Sequence, residues 1–124
     1  MFIHAIDIEV LNLLLEMGKS SLPNEFMVML GAEEGIIITV YPIAGTTTTS
    51  RNATVLADMV PLGLQIAGTA HSHPKGALLP SNADLRIFAE MGQCHIILGG
   101  TFGINSWRCF DRNGKEKFLE VISS

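Results

Sequence analysis

Two prolines divide the stretch HSHPKGALLPSNAD, residues 71–84, and they constrain how the chain on either side can fold. Pro74 has no amide hydrogen to give a sheet ladder. The run before it, LQIAGTAHSH (64–73), therefore reads as a strand that stops there, and its small Ala67, Gly68 and Ala70 predict a central strand closely covered by a helix. After Pro80, Ser81-Asn82-Ala83-Asp84 has a serine three residues ahead of an acid, just before an apolar-periodic run. That is the pattern of a capping box, with Ser81 as N-cap and Asp84 in the first turn. A helix from about Asn82 to Met91 should follow, with Leu85, Phe88 and Ala89 on one face. The unit is strand, short loop, capped helix.

The remaining chain supplies partners for it. Ile8, Leu11, Leu14 and Leu15 recur at helical spacing over residues 7–19, with Asp7 as N-cap and Glu9 in the first turn, and Gly18 followed by Ser20-Ser21-Leu22-Pro23 should break that helix. FMVML (26–30) is short and wholly apolar, the mark of a buried strand. GIIITVYPI (35–43) is β-branched and reads as a second strand. AGTTTTSRN (44–52) is small, polar and aperiodic, hence a surface loop. ATVLA (53–57) could pair as a strand, and DMVPLG (58–63) reads as a turn or short helix. HIILGG and INSWRCF read as strands with Gly99-Gly100 and Gly103 in the turn between them, while FLEVIS fits either a strand or a short helix. Helices and strands in this order predict an α/β (α+β) fold, a mixed sheet flanked by helices, with residues 1–124 forming one domain.

Composition narrows the class of function. With 48% apolar and 16% charged residues the chain is too hydrophobic for disorder, and a net charge of -4 without a Lys/Arg cluster argues against nucleic acid or an acidic membrane as partner. No apolar run reaches the roughly 20 residues of a bilayer span, and MFIHAIDIEV lacks the features of a signal peptide. A cytoplasmic protein is expected. Cys94 and Cys109 have neither metal nor disulfide spacing and read as two buried thiols. His95, in the apolar run CHIIL, reads as a packed residue with one hydrogen bond. Met27 and Met29 read as core gap-fillers.

The histidines raise a second possibility for the opening stretch. Side chains alternate along a strand, so His71 and His73 share a face while Ser72 points the other way. Two imidazoles on one face can hold one ion. A catalytic zinc takes three protein ligands and leaves a position for water, and Asp84 is the natural third. The residues alone leave both readings open, a metal site and a capped turn, and the two are compatible.

HSHP followed after a short proline-containing loop by SNAD, with Glu25 upstream in LPNEFMVML, resembles the motif set of the JAMM/MPN metalloproteases. The resemblance extends over most of the chain and is nearest to the compact archaeal and bacterial members. It implies a mainly antiparallel, curved mixed sheet with flanking helices, of cytidine-deaminase-like architecture. It also implies one catalytic zinc held by His71, His73, Asp84 and a water, Glu25 at the head of a strand as general base and then acid, and Ser81 as a donor to the oxyanion. Ser72 is assigned local support. The implied substrates are conjugates of ubiquitin-like or sulfur-carrier proteins, cut at the modifier's C-terminus, with 44–52 as a border of the groove. The alternative within the family is a noncatalytic MPN-type scaffold, although such modules usually lose ligands and none is missing here. A nucleobase deaminase would need HxE and PCxxC, which do not occur.

Overall fold

The structure is a computed structural model, and it describes residues 2–43, 60, 63 and 65–123. In chain order the elements are β1 (Ala5–Asp7), α1 (Ile8–Ser21), β2 (Met27–Glu33), β3 (Ile36–Pro42), β4 (Gly68–His73), α2 (Asn82–Glu90), β5 (Cys94–Gly99), β6 (Trp107–Phe110) and β7 (Glu120–Ile122). The seven strands form one sheet in the order β6-β5-β4-β2-β3-β1-β7. Pairing is antiparallel for β2 with β3, β2 with β4 and β5 with β6, and parallel for β4 with β5 and for β1 with β3 and β7. The loop expected at 44–52, the strand at 53–57 and most of the turn at 58–63 lie outside the described residues.

The helices take opposite faces of the sheet. Val10, Leu11, Leu14 and Leu15 of α1 pack with Val28, Leu30, Ala70, Ile96 and Leu98. The alternate residues Met27 and Met29 pack instead with Ile87 and Met91 on the α2 side, and Phe88 packs with Ile97 and Phe110. β2 is thus buried on both faces, as its unbroken apolar run predicts. Because β4 and β5 are parallel, the chain must cross over between them, and α2 is that crossover.

Four local expectations are corrected. β1 has no signal in the sequence: three residues carry no period, and parallel pairing with β3 and β7 makes them a strand. α1 is capped by Asp7, whose carboxylate accepts from the Glu9 amide at 2.9 Å, but it runs through Gly18 to Ser21. Gly18 lies within the helix, where the Phe102 ring occupies the space that a Cβ would need. β6 begins at Trp107, since Ser106 closes a turn by donating to the Gly103 carbonyl. Gly68 is small for a different reason from the one expected: a Cβ there would collide with the backbone carbonyl of Cys94 on the neighbouring strand, not with a helix.

FLEVIS resolves into strand β7. Cys94 and Cys109 are buried free thiols with their sulfurs 2.9 Å apart. Among the described residues, no helix is long and apolar enough to cross a membrane.

Candidate metal centre

The C-terminal end of the interior strand β4 and the N-terminal turn of α2 meet on one face of the sheet, joined by the loop of residues 74–81. His71 and His73 leave β4 on the α2 side. His71 is fully buried, and His73 keeps 15% of its side chain exposed, so the pair has one open side. Opposite them stands Asp84, held in a capping box. The Ser81 hydroxyl accepts from the Asp84 amide at 3.1 Å, and an Asp84 oxygen accepts from the Ser81 amide at 2.9 Å. The cap that begins the helix is therefore also what orients the carboxylate toward the histidines.

Three distances define the cluster. His71 Nε2 is 3.1 Å from His73 Nε2, 3.2 Å from Asp84 Oδ1 is the contact His71 makes, and His73 Nε2 stands 3.2 Å from Asp84 Oδ2. Ligand atoms at about 2.0–2.1 Å around a tetrahedral ion lie roughly 3.3 Å apart, so this spacing matches the edges of such a site. The proton positions fit as well. His73 Nδ1 is 3.2 Å from the Ala77 carbonyl, which can only accept, so in the neutral ring Nδ1 carries the hydrogen and Nε2 presents its lone pair to the cluster. With the ring hydrogens on Nδ1, the two Nε2 atoms would set lone pair against lone pair, and both against the Asp84 carboxylate. A cation that accepts a lone pair from each removes that conflict, and this is the one group of three such residues found among the described residues.

Titration follows the same geometry. Burial opposes the charge on Asp84, but hydrogen bonds from His71 and His73 overcome it and hold the carboxyl well below the usual carboxylate range. The hydrogen bond to Asp84 raises the pKa of His73 against the effect of burial, with the charge of Glu25 contributing. In the metal-free protein a proton is favoured where a cation would otherwise sit.

Glu25 stands two residues ahead of β2, slightly outside the strand whose head it was expected to occupy, and is exposed. It lines a cavity of about 590 Å³ together with Pro23, His73, Lys75, Ser81 and Asp84. All five residues singled out in the sequence, Glu25, His71, His73, Ser81 and Asp84, therefore converge, with His71 beneath the cavity wall. Ser72 makes a contact that its position did not disclose. Its hydroxyl accepts from the Phe26 amide at 2.9 Å, and its own amide donates to the Phe26 carbonyl at 3.1 Å, so the histidine strand grips the residue next to Glu25 rather than bonding locally. His95 makes two hydrogen bonds instead of one, to Thr69 and to the Gly92 carbonyl.

Comparison with known proteins points to one family. Residues 8–110 match the family model described as prokaryotic homologs of the JAB domain. A protein of Haloferax volcanii described as a probable metalloprotease is 37% identical over 126 residues, covering 94% of this chain and 78% of that protein. A crystal structure of a JAB1/MPN domain protein from Archaeoglobus fulgidus is similar at a TM-score of 0.77 with 31% identity, covering 95% of this chain and 98% of that one. A structure described as JAMM, a metalloprotease-like zinc site in the proteasome and signalosome, is similar at 0.78 with 29% identity, covering 97% and 98%. With its sheet, its two helices and a His-His-Asp cluster able to hold a metal ion, the chain belongs to the prokaryotic JAB branch of the JAMM/MPN metalloprotease-like proteins.

Proposed function

We propose that residues 1–124 form a single catalytic domain, a zinc-dependent cytoplasmic isopeptidase that releases ubiquitin-like or sulfur-carrier proteins from conjugates by hydrolysis at the modifier's C-terminus. The observation that carries the reading is the 3.1–3.2 Å spacing of the His71, His73 and Asp84 ligand atoms, beside a cavity that Glu25 and Ser81 also line. Two imidazole nitrogens and a carboxylate oxygen suit zinc and leave one position open. When bound, zinc lowers the pKa of a water toward about 7 and polarises a carbonyl.

Within that site Glu25 takes the proton of the attacking water and passes it to the leaving amine, a task usually worth about 10²–10⁴ in rate. Ser81 accepts the Asp84 amide hydrogen with a lone pair, which leaves its own hydrogen for the developing oxyanion. One donor of that kind contributes about 3 kcal/mol to the transition state. The family motif set supports the substrate side of the reading, in which an extended modifier tail lies along the cavity as an added strand.

The test is metal analysis together with cleavage of a ubiquitin-like fusion by wild type and Glu25→Gln. About one zinc per chain in both proteins, with cleavage by wild type alone, is the expected result. Normal cleavage by Glu25→Gln would sink the mechanism. A folded protein that takes up no metal and binds partners without cutting them would favour the scaffold alternative.

A further inference from the structure

Behind the cluster stands a buried column of rings. His95 of β5 lies beside Thr69 of β4 in the parallel pair and is fully buried. Its Nε2 is 3.1 Å from the Gly92 carbonyl oxygen, an acceptor only, so the ring hydrogen is on Nε2. Its Nδ1, 2.8 Å from Thr69 Oγ1, then accepts the threonine hydrogen. Both ring nitrogens are engaged, and the imidazole is locked in one tautomer and one orientation.

Phe88 of α2 lies flat on that ring, with centroids 4.2 Å apart and planes 11° from parallel. The same phenyl ring approaches His71 at 6.2 Å and Phe110 at 6.2 Å. Phe88 follows Asp84 by four residues, one turn along the same face of the helix. The rotation of α2 that seats Phe88 on His95 is therefore the rotation that points Asp84 at the histidines. The capping box cannot supply this tie, since its two hydrogen bonds run between Ser81 and Asp84 of the same helix start and do not reach the sheet.

Resting on the zinc reading above, we propose that His95 and Phe88 are positioning residues for the metal centre: the doubly hydrogen-bonded imidazole, stacked on Phe88, sets the height and rotation of α2 and so the approach of Asp84 to His71 and His73. Burial, aided by the nearby His71 and Arg112, lowers the pKa of His95 to about 4, so at neutral pH the column adds no positive charge behind a site built for a cation.

Two substitutions test the assignment. Thr69→Val removes the hydroxyl that fixes Nδ1 at nearly unchanged volume, and Phe88→Leu removes the stacked ring. Each is compared with wild type by thermal unfolding without metal, by zinc titration against a chromophoric chelator, and by the visible spectrum after loading with cobalt. The expected result is a folded variant that binds zinc about 10-fold more weakly or worse, within the range seen for residues that orient metal ligands, with an altered cobalt spectrum. A purely structural role would lower the unfolding temperature and leave zinc affinity and the cobalt spectrum of the folded protein unchanged, and that result overturns the proposal. Should Phe88→Leu fail to fold, Thr69→Val decides it alone. Wild-type protein that takes up no zinc overturns the metal reading itself, whereas wild-type binding with unaltered variants overturns only the positioning role.

Discussion

The Ser72 hydroxyl accepts the Phe26 amide hydrogen at 2.9 Å, which ties the strand of the two histidines to the residue beside Glu25. Glu25 and the two histidines come from segments far apart in sequence, and this bond sets one against the other. Ser72→Ala leaves a backbone donor without its acceptor, and the expected cost in stability is about 1–3 kcal/mol. Turnover should fall while zinc affinity stays near wild type, because His71 and His73 keep their strand. Chemical denaturation and zinc titration of the same preparation check both parts, and zinc affinity falling in step with turnover would contradict it.

Removing one of the three clustered groups should act differently. His71→Ala deletes a buried nitrogen that stands 3.1 Å from His73 Nε2 and 3.2 Å from Asp84. Zinc affinity should drop by more than about 100-fold, beyond the effect of residues that merely orient ligands, and cleavage should vanish. Equilibrium dialysis against buffered zinc measures the loss. Retention of near-normal affinity would remove His71 from the ligand set.

Acid should loosen the metal-free protein in a window that belongs to His95. Burial lowers its folded pKa from 6.5 to about 4, so between these values the unfolded chain binds a proton that the folded one refuses. Its contribution is fully present above pH 6.5 and is lost as pH falls through 4, a change of about 3 kcal/mol. Asp84, whose pKa is depressed from 3.8, contributes above that value and loses its effect only at lower pH. His73, raised above 6.5, contributes below that value and loses its effect as pH rises through its folded pKa. Urea unfolding in chelator at pH 4.5 and pH 7 should show the fall, and a folded His95→Gln variant should flatten it. An equal slope in that variant would place the effect elsewhere.

The two cysteines should be silent in the native state. Cys94 and Cys109 are buried, and hydrogen bonding between them together with burial pushes the Cys109 thiol far up. Thiol reagents attack the thiolate. A colorimetric thiol assay at pH 8 should find neither cysteine reactive before denaturation and both afterwards. Prompt modification of either in the native protein would be inconsistent with this packing.

Much of the centre was legible because its parts are local. The alternation of His71 and His73, the stop at Pro74 and the cap at Ser81 each depend on a few neighbouring residues, and the fold keeps all of them. Met27 and Met29 fill the α2 side of the core as expected. β1 is not legible because three residues have no period to read. The role of Ser72 is not legible either, because its partner is Phe26, which no pattern around residue 72 names. His95 looked like an ordinary packed histidine because its stacking on Phe88 joins a strand to a crossover helix.

By itself the sequence determined the chemical groups and their local frames: two imidazoles on one strand face, a carboxylate in the first turn of a capped helix, and a glutamate ahead of a buried strand. Backbone periodicity and capping are properties of adjacent residues, so they can be read without the fold. Tertiary structure alone decided that the two imidazoles and the Asp84 carboxylate meet within 3.2 Å with Glu25 lining the cavity beside them, since that depends on β4 pairing with β2 and β5 and on α2 packing against the sheet, where Phe88 stacks on His95. Those contacts join residues distant in the chain, and only the packed sheet brings them together.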